Sequence, residues 1–177
     1  MRVVAGKYRG KKLKEFDLDS TRPTLDRVKE SIFNLIQFDV FGAIVLDLFS
    51  GTGALGIEAI SRGAEKVYLI DSNDKAIKII NENLKGIDGN FVVKHTDALK
   101  FLDGEEKFDI VLLDPPYKTD LGVKAIDKIV YENKLNDNGI IIFETSVDLS
   151  FNFNYEGFEI TKRKYGTVMV YKFVKVG

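Results

Sequence analysis

Apolar positions along the chain follow first one period and then another. Leu25, Val28, Ile32, Leu35 and Ile36 recur at helical spacing through about Gln37, after a turn at 20–24 and with Pro23 placed just before the helix as a start signal. The run AIVLDLF (43–49) is continuously apolar, as in a strand buried on both faces. GALGIEAISRG then reads as a helix closed by Gly63, KVYLID (66–71) as a strand, and NDKAIKIINENLKG as a helix with Ala76, Ile77, Ile80 and Leu84 turned inward. NFVVKH (90–95) predicts a strand and ALKFL a short helix. FDIVLLD (108–114) predicts a strand, and residues 121–134 a helix with Val123, Ile126 and Val130 on one face. GIIIFET (139–145) is a further strand, and the end of the chain alternates in period two around Tyr165-Gly166, as an antiparallel hairpin does.

Alternation of strand and helix predicts an α/β, Rossmann-like fold. Its sheet is mostly parallel with right-handed crossovers, and the C-terminal hairpin adds an antiparallel strand inside or at its edge. No repeat, low-complexity tract or linker interrupts the 177 residues, so one domain spanning 1–177 is expected. Residues 1–20 form a polar appendage in which RVVA and KKLKEF pair as a small β-hairpin leaning on the main body.

Where the first strand meets its helix, Gly51-Thr52-Gly53-Ala54-Leu55-Gly56 spells G-x-G-x-x-G, and Asp71 closes the second strand 20 residues after Gly51. In this fold class ligands sit at the carboxyl ends of the strands. Gly51 and Gly53 would let backbone approach a ligand closely, and Asp71, with Ser72, would accept the two hydroxyls of a ribose. This much suits NAD and S-adenosylmethionine equally. Asp47, four residues before Gly51, separates them. A pyrophosphate crossing the loop would meet a like charge there, whereas a ligand with an ammonium and a sulfonium would be stabilised. Asp47 can alternatively cap the turn that follows it.

DPPY (114–117) falls at the carboxyl end of the fourth strand. A planar amine on a nucleobase is a poor nucleophile because its lone pair is delocalised into the ring. Methylating it calls for acceptors of the amino N–H, and the Asp114 carboxylate and the Pro115 carbonyl are two candidates. Pro116 stiffens the turn and Tyr117 can stack on the base. In HTDAL (95–99), Asp97 and the Ala98 N–H can meet the edge of an adenine, or Asp97 can cap the helix after it. His95 is the single histidine and there is no cysteine, so metal binding, disulfides and a cysteine nucleophile are not expected.

Net charge is −1 but unevenly spread: residues 1–29 carry nine Lys/Arg against four Asp/Glu, and the remainder 17 against 23. A basic head on an acidic body points to a polyanionic partner, with Lys7, Arg9, Lys11 and Lys12 as candidate contacts, or to a solvated lysine-rich hairpin. The opening MRVVAGKYRG lacks an apolar signal region and no apolar run approaches membrane-spanning length, so a cytoplasmic place away from membranes is expected.

Taken together, MRVVAGKYRGKKL, TRPTLDRVKESIFN, LDLFSGTGALGIEAISRGA and DPPY resemble the RsmD family of bacterial 16S ribosomal RNA guanine-N2 methyltransferases, almost end to end. The resemblance implies a seven-stranded class I fold dependent on S-adenosylmethionine. It implies methyl transfer to the exocyclic amine of one guanine in 16S rRNA, within the small ribosomal subunit or an assembly intermediate. It also implies that Arg22, Pro23 and Thr24 lie near the cofactor's methionine end or the target base. A monomer is expected. Asp71 stands where the family more often has glutamate, and either carboxylate can bind ribose. The nearest alternative keeps the chemistry and changes the acceptor to adenine or cytosine of DNA or another RNA. A glutamine-methylating enzyme of this fold would show Asn before Pro-Pro-Tyr, and an NAD dehydrogenase is disfavoured by Asp47.

Overall fold

The computed structural model describes residues 1–16, 23–149 and 153–177. A seven-stranded sheet runs β3-β2-β1-β4-β5-β7-β6. Its strands are β1 (Ile44–Leu48), β2 (Lys66–Asp71), β3 (Phe91–His95), β4 (Phe108–Leu113), β5 (Leu135–Thr145), β6 (Phe158–Tyr165) and β7 (Val168–Lys175). The first five pair in parallel, and β7 inserts antiparallel between β5 and β6. The hairpin therefore supplies both an internal strand and an edge. Among the described residues, five helices cover the faces: α1 (Pro23–Leu35), α2 (Ala54–Ser61), α3 (Asp74–Asn83), α4 (Ala98–Phe101) and α5 (Leu121–Tyr131).

The apolar strand runs are buried on both faces, and each face carries its own core. Ile32, Phe33, Ile57, Leu69 and Ile80 fill one. An aromatic group of Phe143, Phe153, Tyr171 and Phe173 anchors the other, with ring centroids 5.0–6.2 Å apart. No helix among the described residues is long and apolar enough to cross a membrane.

Three elements differ from the sequence pattern. Pro23 is the first residue of α1 rather than its predecessor, a position where the missing N–H costs nothing, and the helix stops at Leu35. In α5 the buried stripe is Gly122, Ala125, Ile126 and Ile129, with Val123 and Val130 half-buried on its flanks. A side chain on Gly122 would sit 2.6 Å from the Phe143 ring, so this glycine lets α5 lie close on β5. The N-terminal hairpin forms one bridge, Arg2–Lys12, with backbone bonds from Val3 N–H to the Lys11 carbonyl, Gly10 N–H to the Val3 carbonyl and Leu13 N–H to the Met1 carbonyl, and it is also tied to the main body. Val4 and Ala5 N–H donate to the Glu58 carboxylate, Tyr8 N–H to Ser61 Oγ, and Lys14 N–H to Asn83 Oδ1. Val3 and Leu13 are buried beneath it.

Candidate active site

The turn after β1 is built on one buried carboxylate. Asp47, 1% exposed, accepts the Ser50 hydroxyl at 2.7 Å and the Gly56 N–H at 2.9 Å on Oδ2. Burial, partly offset by these two hydrogen bonds, pushes its carboxyl up to about 8. Its Oδ1 is buried without a hydrogen-bond partner among the described residues. Asp47 thus braces the loop from below, and the cleft wall above it is formed by Ser50 and Gly51. A side chain on Gly56 would press on both Leu69 and this carboxylate. Gly51 and Gly53 both take positive φ (61° and 83°). Gly51 faces the cleft, while Gly53 packs toward Leu69, Ile57 and Ile80 at the start of α2. Phe49 also has positive φ, 62°, which is strained for a residue with a side chain, and it lines the cleft.

A cleft of about 440 Å³ opens along the carboxyl ends of the strands, bordered by Gly51, Asp71, Ser72, Asp97, Ala98 and Asp114 through Tyr117. The candidate residues of four separate strand ends therefore share one wall. Asp71 Oδ2 accepts Gly51 N–H at 2.9 Å and Oδ1 accepts Asn73 N–H at 2.8 Å. Each oxygen keeps a lone pair for a ribose hydroxyl. Asp97 caps α4 through a bond from Lys100 N–H at 3.0 Å and borders the cleft as well. His95 Nε2 lies 2.9 Å from the Ser72 carbonyl, tying the end of β3 to the ribose corner. A second, contiguous chamber of about 230 Å³ is lined by Met1, Phe16, Lys29, Phe49, Ser50, Asp114 and Glu144.

Asp114 is open to the cleft on one side and enclosed by protein on the other. That enclosure raises its carboxyl to about 6. Glu144, nearly buried beside it, is raised to about 8, first by burial and second by the Asp114 charge. Among the described residues, the two chambers are lined by Asp71, Asp97 and Asp114, by Glu144 held toward its neutral form, and by Lys29, which Glu58 holds at 3.1 Å. This donor set suits a cationic or neutral adenosine ligand and opposes a pyrophosphate.

The other predicted contacts lie elsewhere. Lys7, Arg9, Lys11 and Lys12 border neither chamber. The hairpin reaches the cleft through Met1 and Phe16. Its tip packs at the far end of α2, where Lys7 N–H donates to the Ser61 carbonyl. Eight helical residues separate the two ends, about 12 Å. Lys7, Arg9 and Lys12 are exposed, and Lys11 Nζ donates to the Lys85 carbonyl. Pro23 and Thr24 open α1, and Arg22 lies outside the described residues. Phe16, Phe49 and Glu144 border the site without having been singled out from sequence. Glu144 carried a usable signal, an acid closing the apolar run GIIIF as Asp114 closes IVLL.

A Rossmann-like sheet with a glycine turn, a ribose-type carboxylate and a D-P-P-Y strand end defines a methyltransferase of the S-adenosylmethionine-dependent class. The family model described as conserved hypothetical protein 95 matches residues 1–174. A Haemophilus influenzae protein named ribosomal RNA small subunit methyltransferase D is 35% identical over 154 residues, covering 84% of this chain and 80% of the relative. Its Escherichia coli counterpart is 35% identical over 150 residues, covering 84% and 76%. The solved structure of Escherichia coli yhhF superposes with a TM-score of 0.87 at 30% identity, covering 99% of this chain and 97% of that one. The chain belongs to the ribosomal RNA small subunit methyltransferase D (RsmD) family.

Replacing Asp71 with alanine is expected to weaken S-adenosylmethionine binding by about 1–3 kcal/mol, since hydrogen bonds to a charged acceptor and the tether on Gly51 are lost together. Calorimetric titration measures this, and an unchanged affinity would remove Asp71 from the ribose site.

Proposed function

We infer that the chain transfers a methyl group from S-adenosylmethionine to the exocyclic N2 amine of a guanine in 16S rRNA, acting on the small ribosomal subunit or an assembly intermediate. The observation that carries this reading is the shared cleft: Asp114, Pro115, Pro116 and Tyr117 border the same space as Gly51, Asp71, Ser72, Asp97 and Ala98. The names of the Haemophilus influenzae and Escherichia coli relatives support ribosomal RNA as the substrate class.

Bound in the cleft, the cofactor would supply an electrophilic methyl on a sulfonium; Asp71 would hold its ribose, Asp97 and the Ala98 N–H its adenine, and Gly51 would let the backbone approach it. Asp47 keeps the loop in place from beneath. Asp114 accepts one N–H of the target amine and the Pro115 carbonyl the other, so the nitrogen lone pair leaves conjugation with the ring and points at the methyl carbon. As the N–C bond forms the methyl–sulfur bond breaks, leaving the neutral thioether, and the nitrogen sheds a proton that the Asp114 carboxylate can accept. Tyr117, half exposed on the rim, stacks on the base after it has been turned out of its helix. Pro116 fixes the turn, and its carbonyl is engaged by the Thr119 hydroxyl at 2.8 Å.

The test is methylation of rRNA or small-subunit particles from cells lacking this gene, followed by nucleoside analysis. N2-methylguanosine is expected; N6-methyladenosine or N4-methylcytidine would replace the reading.

The basic tip supplies phosphate contacts away from the cleft, since Lys7, Arg9, Lys11 and Lys12 border neither chamber. Such contacts set position and not base choice. Replacing Lys7, Arg9, Lys11 and Lys12 with alanine is expected to flatten the slope of log affinity against log salt by about 2–3 units, at roughly 0.7–0.9 per phosphate released. Binding of the RNA-bearing particle across a salt series measures it. Parallel slopes with equal affinities would make the hairpin a solvated surface.

A further inference from the structure

The mechanism above leaves one nearly buried carboxyl unused. Glu144 follows Phe143 on β5 as Asp114 follows Leu113 on β4, and Leu113 and Phe143 are register partners in parallel strands. Partners on adjacent parallel strands face the same side about 4.8 Å apart, so the two carboxyls stand side by side at the sheet's edge. Both line the smaller chamber. Glu144 is 7% exposed, and among the described residues its carboxyl makes no hydrogen bond or ion pair. A carboxyl withdrawn from water without a partner is costly, and the cost falls when a ligand brings donors to it.

Resting on the reading of a guanine amine as methyl acceptor, we propose that Glu144 determines base specificity: its carboxylate accepts the ring N1–H of the target guanine while Asp114 accepts an N2–H. Two adjacent acceptors match two adjacent donors. Guanine alone among the four standard bases places an amine next to a ring N–H. Adenine and cytosine place the amine next to a ring nitrogen lone pair, so they offer the Glu144 carboxylate no N–H to accept, and uracil has the ring N–H without the amine. A site built around a substrate N–H leaves its own acceptor unpaired with an analogue that lacks it, which is the stronger form of discrimination. The groups facing Glu144 agree with this role. Asp114 on β4 borders it, and Lys29 on α1 is already occupied by Glu58. Burial and the Asp114 charge favour a proton on the empty Glu144, and the guanine N1–H favours the ionised carboxylate as the base docks.

The experiment compares kcat/KM on rRNA transcripts, assembled with ribosomal proteins where the bare transcript is not methylated. The transcripts carry either the natural guanine at the mapped target or adenine in its place. Wild type is expected to favour guanine by about 10³ or more. Glu144→Gln offers an amide N–H that can meet the adenine N1, so the guanine-to-adenine ratio should fall about 100-fold, with N6-methyladenosine detectable in the product. Glu144→Asp keeps the carboxylate and should keep the ratio while raising KM. Equilibrium dialysis with labelled S-adenosylmethionine verifies that each variant is folded. A Gln variant that binds the cofactor normally and retains the wild-type ratio overturns the assignment. If the Gln variant does not bind cofactor, Glu144→Ala replaces it: a fallen guanine-to-adenine ratio supports the proposal and a retained one overturns it. A wild-type product other than N2-methylguanosine defeats the guanine reading itself, before any variant is considered.

Discussion

Asp114→Ala is expected to lower methyl-transfer turnover by about 100-fold or more while leaving S-adenosylmethionine affinity nearly unchanged. The asymmetry follows from position. Asp71, Ser72, Asp97 and Ala98 lie on the side of the cleft assigned to the adenosine, whereas Asp114 sits where the cleft meets the smaller chamber holding Glu144. In the proposed mechanism its carboxylate acts on the amine as the nitrogen changes shape, an interaction that strengthens only on the way to the transition state. Tyr117→Ala should mainly raise KM for the RNA, and Tyr117→Phe should be milder because stacking survives. Single-turnover methylation with saturating cofactor separates these effects. An Asp114→Ala enzyme working at near wild-type rate would overturn the role given to D-P-P-Y.

The same carboxylate sets a pH dependence. Desolvation raises Asp114 to about 6, so the acceptor form is lost as pH falls through that value. Turnover should climb with pH across the region from about 5 to 7. A rate at pH 5 equal to that at pH 8 would show that an ionised Asp114 is not needed.

Sequence periodicity located every strand of the sheet because each core strand is apolar on both faces, a pattern with little ambiguity when glycine and asparagine punctuate it. The antiparallel insertion of β7 was legible only as a hairpin; its place between β5 and β6 depends on which edge was free. Helix α5 was rotated in the sequence reading because Gly122 and Ala125 carry little hydrophobic signal, yet they are what lets the helix approach Phe143. At the site, strand-end carboxylates and glycines could be read one by one, since fold topology alone brings strand ends together. What could not be read was distance across the sheet. Glu144 gains its meaning from standing next to Asp114 in register, and Phe16 and Met1 from a hairpin folded back over α2, contacts that span 30 to more than 50 positions of sequence.

That hairpin hangs on Glu58, and Glu58→Ala is expected to destabilise the protein by about 3–5 kcal/mol, the usual cost of removing one partner from a buried ion pair. Glu58 is fully buried in the middle of α2. Its carboxylate meets Lys29 at 3.1 Å and Arg62 at 2.9 Å, and it accepts the N–H groups of Val4 at 2.9 Å and Ala5 at 3.1 Å. Truncation leaves the Lys29 ammonium, itself 2% exposed, without its anion, and leaves two backbone donors without an acceptor. Arg62→Ala should cost much less, because Arg62 is partly exposed and only one of the four contacts is lost. The consequence extends to the cleft. Released from Glu58, residues 1–16 no longer hold Met1 and Phe16 against Ser50 and Gly51, so cofactor affinity should fall with stability even though no residue touching the cofactor has changed. Denaturant unfolding of the two variants, with calorimetric titration of S-adenosylmethionine under conditions where both remain folded, measures the two effects. A Glu58→Ala loss below about 1 kcal/mol would mean that hydrophobic contacts of Val3 and Leu13, not the buried carboxylate, dock the hairpin. A normal cofactor affinity in a destabilised but folded variant would mean that the hairpin closes over the RNA side of the cleft alone.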